Sequence, residues 1–157
     1  MRAPNIEDAS LILRLYELRR EKEMRKARNF IITFEPKTID DVLAVANWAH
    51  PENAHFRQIT SYWSMVADFA KRKILHPDMF AAHCGEAFVI YARLEPLLPE
   101  IRKRLSPTYF LTMEQLIKKY PSCREKAEAI RTMFAARAAA AAGAMKTTTS
   151  KKKASAK

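Results

Sequence analysis

The stretch Phe56-Arg-Gln-Ile-Thr-Ser-Tyr-Trp-Ser-Met-Val-Ala-Asp-Phe-Ala70 sets Phe56, Ile59, Trp63, Val66 and Phe69/Ala70 at steps of three and four. That spacing places them on one face of a helix, predicted from about Glu52 to Ile74, whose apolar stripe must be covered by other elements. A second stripe of the same kind, Phe80, Cys84, Ala87/Phe88, Tyr91 and Leu94, follows Pro77, a residue suited to the first position of a helix. Aromatics at this spacing more often pack in a core than line a ligand pocket, so both stripes are read as core.

The rest of the chain extends the pattern in both directions. Asn5 with Asp8 three residues on marks an N-cap and a first-turn acid, and apolar residues at helical spacing continue to about Thr33 before Pro36, predicting one long first helix. Thr38 with Asp41 opens a short second helix to about Ala49, which Pro51 closes. The helix begun at Pro77 reaches about Glu95; Pro96 and Pro99 bracket a bend with one or two turns to Leu105, and Ser106-Pro107 starts another helix that Pro121 stops. Ser122 with Glu125 forms an S-x-x-E capping box for the last helix, ending near Gly143. The expectation is an all-α, single-domain bundle of six to seven helices over residues 1–143, followed by a disordered basic tail over residues 144–157.

Composition agrees with that class. The 157 residues include two glycines against eight prolines, and asparagine occurs only at positions 5, 29, 47 and 53, too few positive-φ residues for the hairpins of a sandwich or barrel. The chain is long enough to bury a core without disulfides or a structural metal. Cys84 and Cys123 form no CxxC, and residues 1–10 carry Arg2, Glu7 and Asp8 with no apolar run. Reduced thiols, no secretory signal and no run of ~18 apolar residues predict a cytoplasmic protein that spans no membrane.

Charge is unevenly placed. Of the formal net charge of +11, five units come from Lys146, Lys151, Lys152, Lys153 and Lys157, in a segment without acids. Beyond Gly143 only Met145 is large and apolar, so the segment cannot bury enough surface to offset chain entropy. Such a polycationic arm fits non-specific contact with nucleic acid or another polyanion, and equally a solubilising tail; with no aromatic among the lysines, base stacking is not expected. Seven basic residues between Arg14 and Arg28 alternate with Glu17, Glu21 and Glu23, as on a solvated helix face.

Catalytic signatures are missing from the sequence. The two glycines make no phosphate loop, no serine sits in G-x-S-x-G, and no Cys/His pair has a recognisable nucleophile spacing. Glu52-x-x-His55 has the spacing of half a di-iron site, but a bundle of that type needs two copies and only one occurs. His83 and Cys84 are adjacent and point about 100° apart on a helix, and His50 and His76 fall at helix ends. Neither metal nor cofactor is expected, and these histidines are read as capping or solvated.

One charged pair stands out. Ala9, Leu13, Tyr16, Arg20, Met24, Ala27, Ile31 and Phe34 form a stripe along the long first helix that is apolar except for Arg20, which is thereby aimed inward. Met79, His83, Glu86, Ile90 and Leu97 form a stripe in which Glu86 sits mid-helix. A buried charge needs a partner, so a structural Arg20–Glu86 ion pair is expected, the alternative being that each side chain snorkels to water.

The stretches Leu15-Tyr-Glu-Leu-Arg-Arg-Glu-Lys-Glu-Met-Arg-Lys-Ala-Arg28, Phe56-Arg-Gln-Ile-Thr-Ser-Tyr-Trp-Ser-Met65 and Gly85-Glu86, with Tyr109 to Ile117, resemble a family of small helical bacterial proteins of unknown function. The resemblance covers roughly Ala9 to Tyr120 and implies a helical fold and a bacterial source, with no activity to carry over. The expected function is non-catalytic binding or regulation, with the tail on a polyanion. The alternative is a protein–protein interaction module or homo-oligomer whose tail only solubilises.

Overall fold

In a computed structural model of the chain, the backbone of residues 2–154 and the side chains of residues 2–142 are described. The chain is all-helical, with no strand among the described residues. Among the described residues nine α-helices follow in order: α1 Ile6–Arg20, α2 Lys22–Thr33, α3 Ile39–Ala46, α4 Asn53–Lys71, α5 Pro77–His83, α6 Gly85–Leu94, α7 Leu98–Arg104, α8 Leu111–Lys119 and α9 Pro121–Ala154, with a 3₁₀ turn at Glu95–Leu97.

α4 is the central element. Phe56, Ile59, Trp63, Val66, Ala67 and Ala70 are all buried along it, and α2, α3, α5 and α8 pack around it. α9 covers α5, α6 and α8, burying Cys123 and Ala127. The second predicted stripe is core as well: Phe80, Cys84, Ala87, Phe88, Tyr91 and Leu94 are buried. Each large apolar side chain so covered contributes about 1.5–3 kcal/mol of transfer free energy, which explains why these stripes govern the helix arrangement.

Two expected helices are each divided. The long first helix stops at Glu21, whose ψ of 144° leaves helical space, and its carboxylate then caps α2, Oε2 accepting from the amides of Glu23 (2.9 Å) and Met24 (3.1 Å). No glycine or proline marks this break; a side chain makes it. The second division falls at Cys84 (φ −105°, ψ 40°), between α5 and α6.

Both predicted caps at the N-terminal ends of the first two segments form. Asn5 and Asp8 make a reciprocal capping box on α1, as Thr38 and Asp41 do on α3. The expected box on the last helix does not form. Pro121 opens α9 as its first residue, and the Ser122 hydroxyl donates instead to Asp78 Oδ1 at 2.6 Å. Nor does Ser106-Pro107 open a helix: residues 107–110 are turns, ended by Phe110 in the left-handed region (φ 50°), and α8 begins at Leu111. α9 runs through Gly143, since a single helical glycine costs only about 1 kcal/mol relative to alanine. The tail expected over residues 144–157 lies outside the described side chains, although the α9 backbone extends into it as far as Ala154.

Candidate functional site

The two helix breaks lie close together beside Trp63 of α4, and Arg19, Arg28 and Glu86 collect there. The break at Cys84 places Glu86 in the first turn of α6, where a carboxylate is favoured by the helix dipole. The break at Glu21 places Arg19 in the last turn of α1, where a cation is favoured for the same reason. Arg28 Nε donates to both Glu86 oxygens, at 3.0 and 3.1 Å, and Trp63 Nε1 donates to Oε2 at 3.3 Å. Arg19 Nη2 lies 3.2 Å from the same Oε2, and its guanidinium carbon sits 5.1 Å from the Trp63 ring centroid, within cation–π range.

Arg20 is not part of this cluster. It is exposed, and the inward arginine is Arg19. The reason is the break at Glu21. A continuous helix would carry the stripe of Met24, Ala27 and Ile31 back through Arg20, Tyr16 and Leu13. The reorientation at Glu21 moves the buried face of α1 by one residue, or about 100°, onto Asp8, Ile12, Leu15 and Arg19. Leu13 and Tyr16, expected in the core, are 65% and 58% exposed. Glu86 is paired, as a charge in that position requires, but with Arg19 and Arg28.

A cleft of about 350 Å³ opens beside the cluster. Ile12, Leu13 and Tyr16 of α1 form one wall; His83, Cys84 and Trp63 form the other, and Arg19 lies between them. The walls are mainly apolar. Tyr62 ties α4 to α1 underneath, its hydroxyl donating to Leu15 O at 2.8 Å. Burial pushes the Tyr62 phenol and the Cys84 thiol each up to about 12, so both stay protonated at neutral pH and Cys84 is a poor nucleophile.

The cluster carries two arginines and one carboxylate. Arg19, whose side chain is 14% exposed, makes no other polar contact among the described residues than its approach to Glu86, and its Nε is buried without a partner. Most buried donors are satisfied, so an arginine this covered and this little bonded is unusual.

His50 and His76 behave as caps. His76 Nδ1 accepts from the Asp78 amide at 3.2 Å and His50 Nδ1 from the Glu52 amide at 3.1 Å. His55 and Glu52 lie 2.7 Å apart, bonded to each other, and the described residues hold no group of three or more His, Cys, Asp and Glu that could hold a metal ion. No helix among the described residues is long and apolar enough to cross a membrane. Lys146, Lys151, Lys152, Lys153 and Lys157, expected to contact a polyanion, lie outside the described side chains.

The fold and site define an all-helical protein with a mainly apolar cleft beside the Arg19–Arg28–Glu86 cluster. The chain belongs to the family described as Domain of unknown function (DUF4760), whose model matches residues 4–120. The matched range includes every residue of the cleft and ends one residue before α9. No curated protein and no solved structure matches the chain. Of the four stretches that carry the family resemblance, Leu15–Arg28, Phe56–Met65 and Gly85-Glu86 contribute Arg19, Arg28, Trp63 and Glu86 to this point, and Tyr109 to Ile117 lies outside it.

Proposed function

We propose that residues 1–143 form one helical-bundle domain acting as a non-catalytic binding protein, with the cleft between α1 and the α5–α6 junction as its ligand site. The observation that carries this reading is Arg19, a cation largely withdrawn from water, under-bonded, and set between apolar walls. Small-molecule sites typically combine such walls with a few placed polar groups in ~300–1,000 Å³, and this cleft lies at the lower end of that range. Binding without chemistry is favoured because the Cys84 nucleophile and the Glu86 carboxylate at the cleft are both withheld. The Cys84 thiol is held protonated by burial, and Glu86 is occupied by donors from three side chains.

The test is a two-dimensional ¹H–¹⁵N NMR screen of small anionic, cationic and neutral fragments, reading the Trp63 Nε1–H and Arg19 Nε–H resonances. At least one class should shift both saturably in the parent protein and shift neither in Leu13→Trp, which fills the cleft from an exposed wall position. If no class moves them, or the shifts persist in Leu13→Trp, the cleft is not the site.

A further inference from the structure

We infer that the ligand of this cleft is an amphipathic monocarboxylate, with its headgroup on Arg19 and its hydrocarbon portion along Leu13 and Tyr16. The inference rests on the binding reading above and adds the ligand's chemical class. Its first support is charge. With Arg19 and Arg28 set against Glu86 alone, the cluster has one positive charge in excess, and an arriving anion would balance it without displacing Glu86 from Arg28. An arriving cation would add to the excess.

The second support is how differently two comparably covered arginines are used. Arg93, 14% exposed like Arg19, spends its guanidinium on the α2 C-terminus, where Nη1 donates to Ile31 O at 2.5 Å and Phe34 O at 3.2 Å. Arg19 has no carbonyl to serve and only one carboxylate oxygen within reach. Its Nη1, which has no hydrogen-bond partner among the described residues, matches a carboxylate, which takes charge-assisted hydrogen bonds from a guanidinium. A phosphate would ask for several donors, and the cleft supplies one cation.

The third support is the wall. Leu13 and Tyr16 are more than half exposed, three residues apart on one face of α1, and together with Ile12 they continue the apolar surface outward from Arg19. An alkyl chain lying there gains burial that a short anion does not, at about 0.8 kcal/mol per methylene fully covered. Charge at the inner end and apolar surface at the outer end fit one molecule of the same polarity.

The experiment titrates the full chain with decanoate, decanol, decylammonium and acetate, below any micelle concentration, and follows the same Trp63 and Arg19 resonances. Decanoate should bind at least tenfold more tightly than decanol or acetate, and decylammonium should not bind. Arg19→Gln should weaken decanoate about ten- to hundredfold, the loss expected for a charge-assisted hydrogen bond, and leave decanol unchanged. Because Arg19→Gln touches the core, Leu13→Asp serves as a second variant; it alters an exposed residue and should weaken decanoate at least tenfold. Decanol or decylammonium binding as well as decanoate, with Leu13→Asp blocking them, would overturn the carboxylate and leave the cleft as a binding site. Response to none of the four would overturn the carboxylate inference, and the binding reading itself falls only if the fragment screen above also finds no ligand. A parallel arm sediments the protein with phosphatidylglycerol vesicles: capture that Leu13→Asp abolishes, without a response to free decanoate, would make this face a membrane contact and overturn the inference.

Discussion

Arg19 and Glu86 meet at 3.2 Å across the two points where the residue pattern predicts unbroken helices, and Arg20, the next residue, is exposed. The contact exists because both helices break. Glu21 ends α1 just after Arg19 has turned inward, and Cys84 ends α5 so that Glu86 falls in the first turn of α6.

Removing Glu86 strands two arginines. Breaking a fully buried pair costs about 3–5 kcal/mol, but Arg28 is 30% exposed and retains water, so Glu86→Ala is expected to cost about 2–3 kcal/mol. Arg20→Ala should cost less than about 0.5 kcal/mol. Chemical denaturation of both variants checks the order; equal effects would mean the cluster does not hold the helices together.

Glu21 caps α2 from an exposed position and makes no other side-chain hydrogen bond among the described residues. Glu21→Ala should therefore cost about 1 kcal/mol, the usual loss for an N-cap, while Glu21→Ser, which keeps a capping oxygen, should recover most of it. A Glu21→Ala protein as stable as its parent would show that the break needs no cap.

Asp8 is fully buried and receives the Arg2 guanidinium at 2.5 and 2.7 Å, the Asn5 amide at 2.9 Å and the His76 amide at 2.7 Å. The hydrogen bond from Arg2 is the main influence and outweighs burial, so the carboxyl is held far below the usual carboxylate range. A depressed folded value means the stabilisation is complete above the unfolded pKa of about 3.9 and is lost as pH falls toward the folded value. Asp8→Asn should melt well below the parent at pH 7, with the gap narrowing steadily below about pH 4. A gap independent of pH would show that the carboxylate's charge is not what stabilises this corner.

The fold class and most of the core were readable because α4 and the Phe80–Leu94 stripe repeat apolar residues at three and four over several turns. The Arg19 site was not, and the obstacle was one residue. Glutamate is a good helix former and was expected to continue the helix at position 21, whereas it turns its carboxylate onto the amides ahead of it. Every inward position assigned before that break was consequently one residue out. The presence of Glu86 in a helix stripe did signal a buried partner, and only the partner's identity depended on helix phase. The Leu13–Tyr16 wall was hidden by the same shift, since both were assigned to the core.

Two non-glycine residues among the described residues adopt positive φ, Lys73 (63°) and Phe110 (50°), and the same substitution should act on them with opposite sign. Lys73 stands just past the end of α4 in a Schellman arrangement: its amide donates to Ala70 O at 3.1 Å and the Ile74 amide to Phe69 O at 3.0 Å. Glycine is the residue this position favours, because a side chain in the left-handed region costs about 1–2 kcal/mol. Lys73 is exposed, so its side chain returns little by packing. Glycine also loosens the unfolded chain, which takes back about 0.4–1 kcal/mol. Lys73→Gly is thus expected to stabilise by about 0.5–1 kcal/mol. Phe110 carries the same backbone cost, but its ring is 4% exposed and packs 5.3 Å from Tyr109 and 6.5 Å from Tyr91. Losing a buried phenylalanine costs about 3–5 kcal/mol, well above the strain relieved, so Phe110→Gly should destabilise by about 2–4 kcal/mol. Urea midpoints at unchanged slope give both values. A lowered midpoint for Lys73→Gly would mean that the lysine side chain, and not the backbone, decides the stability of this turn.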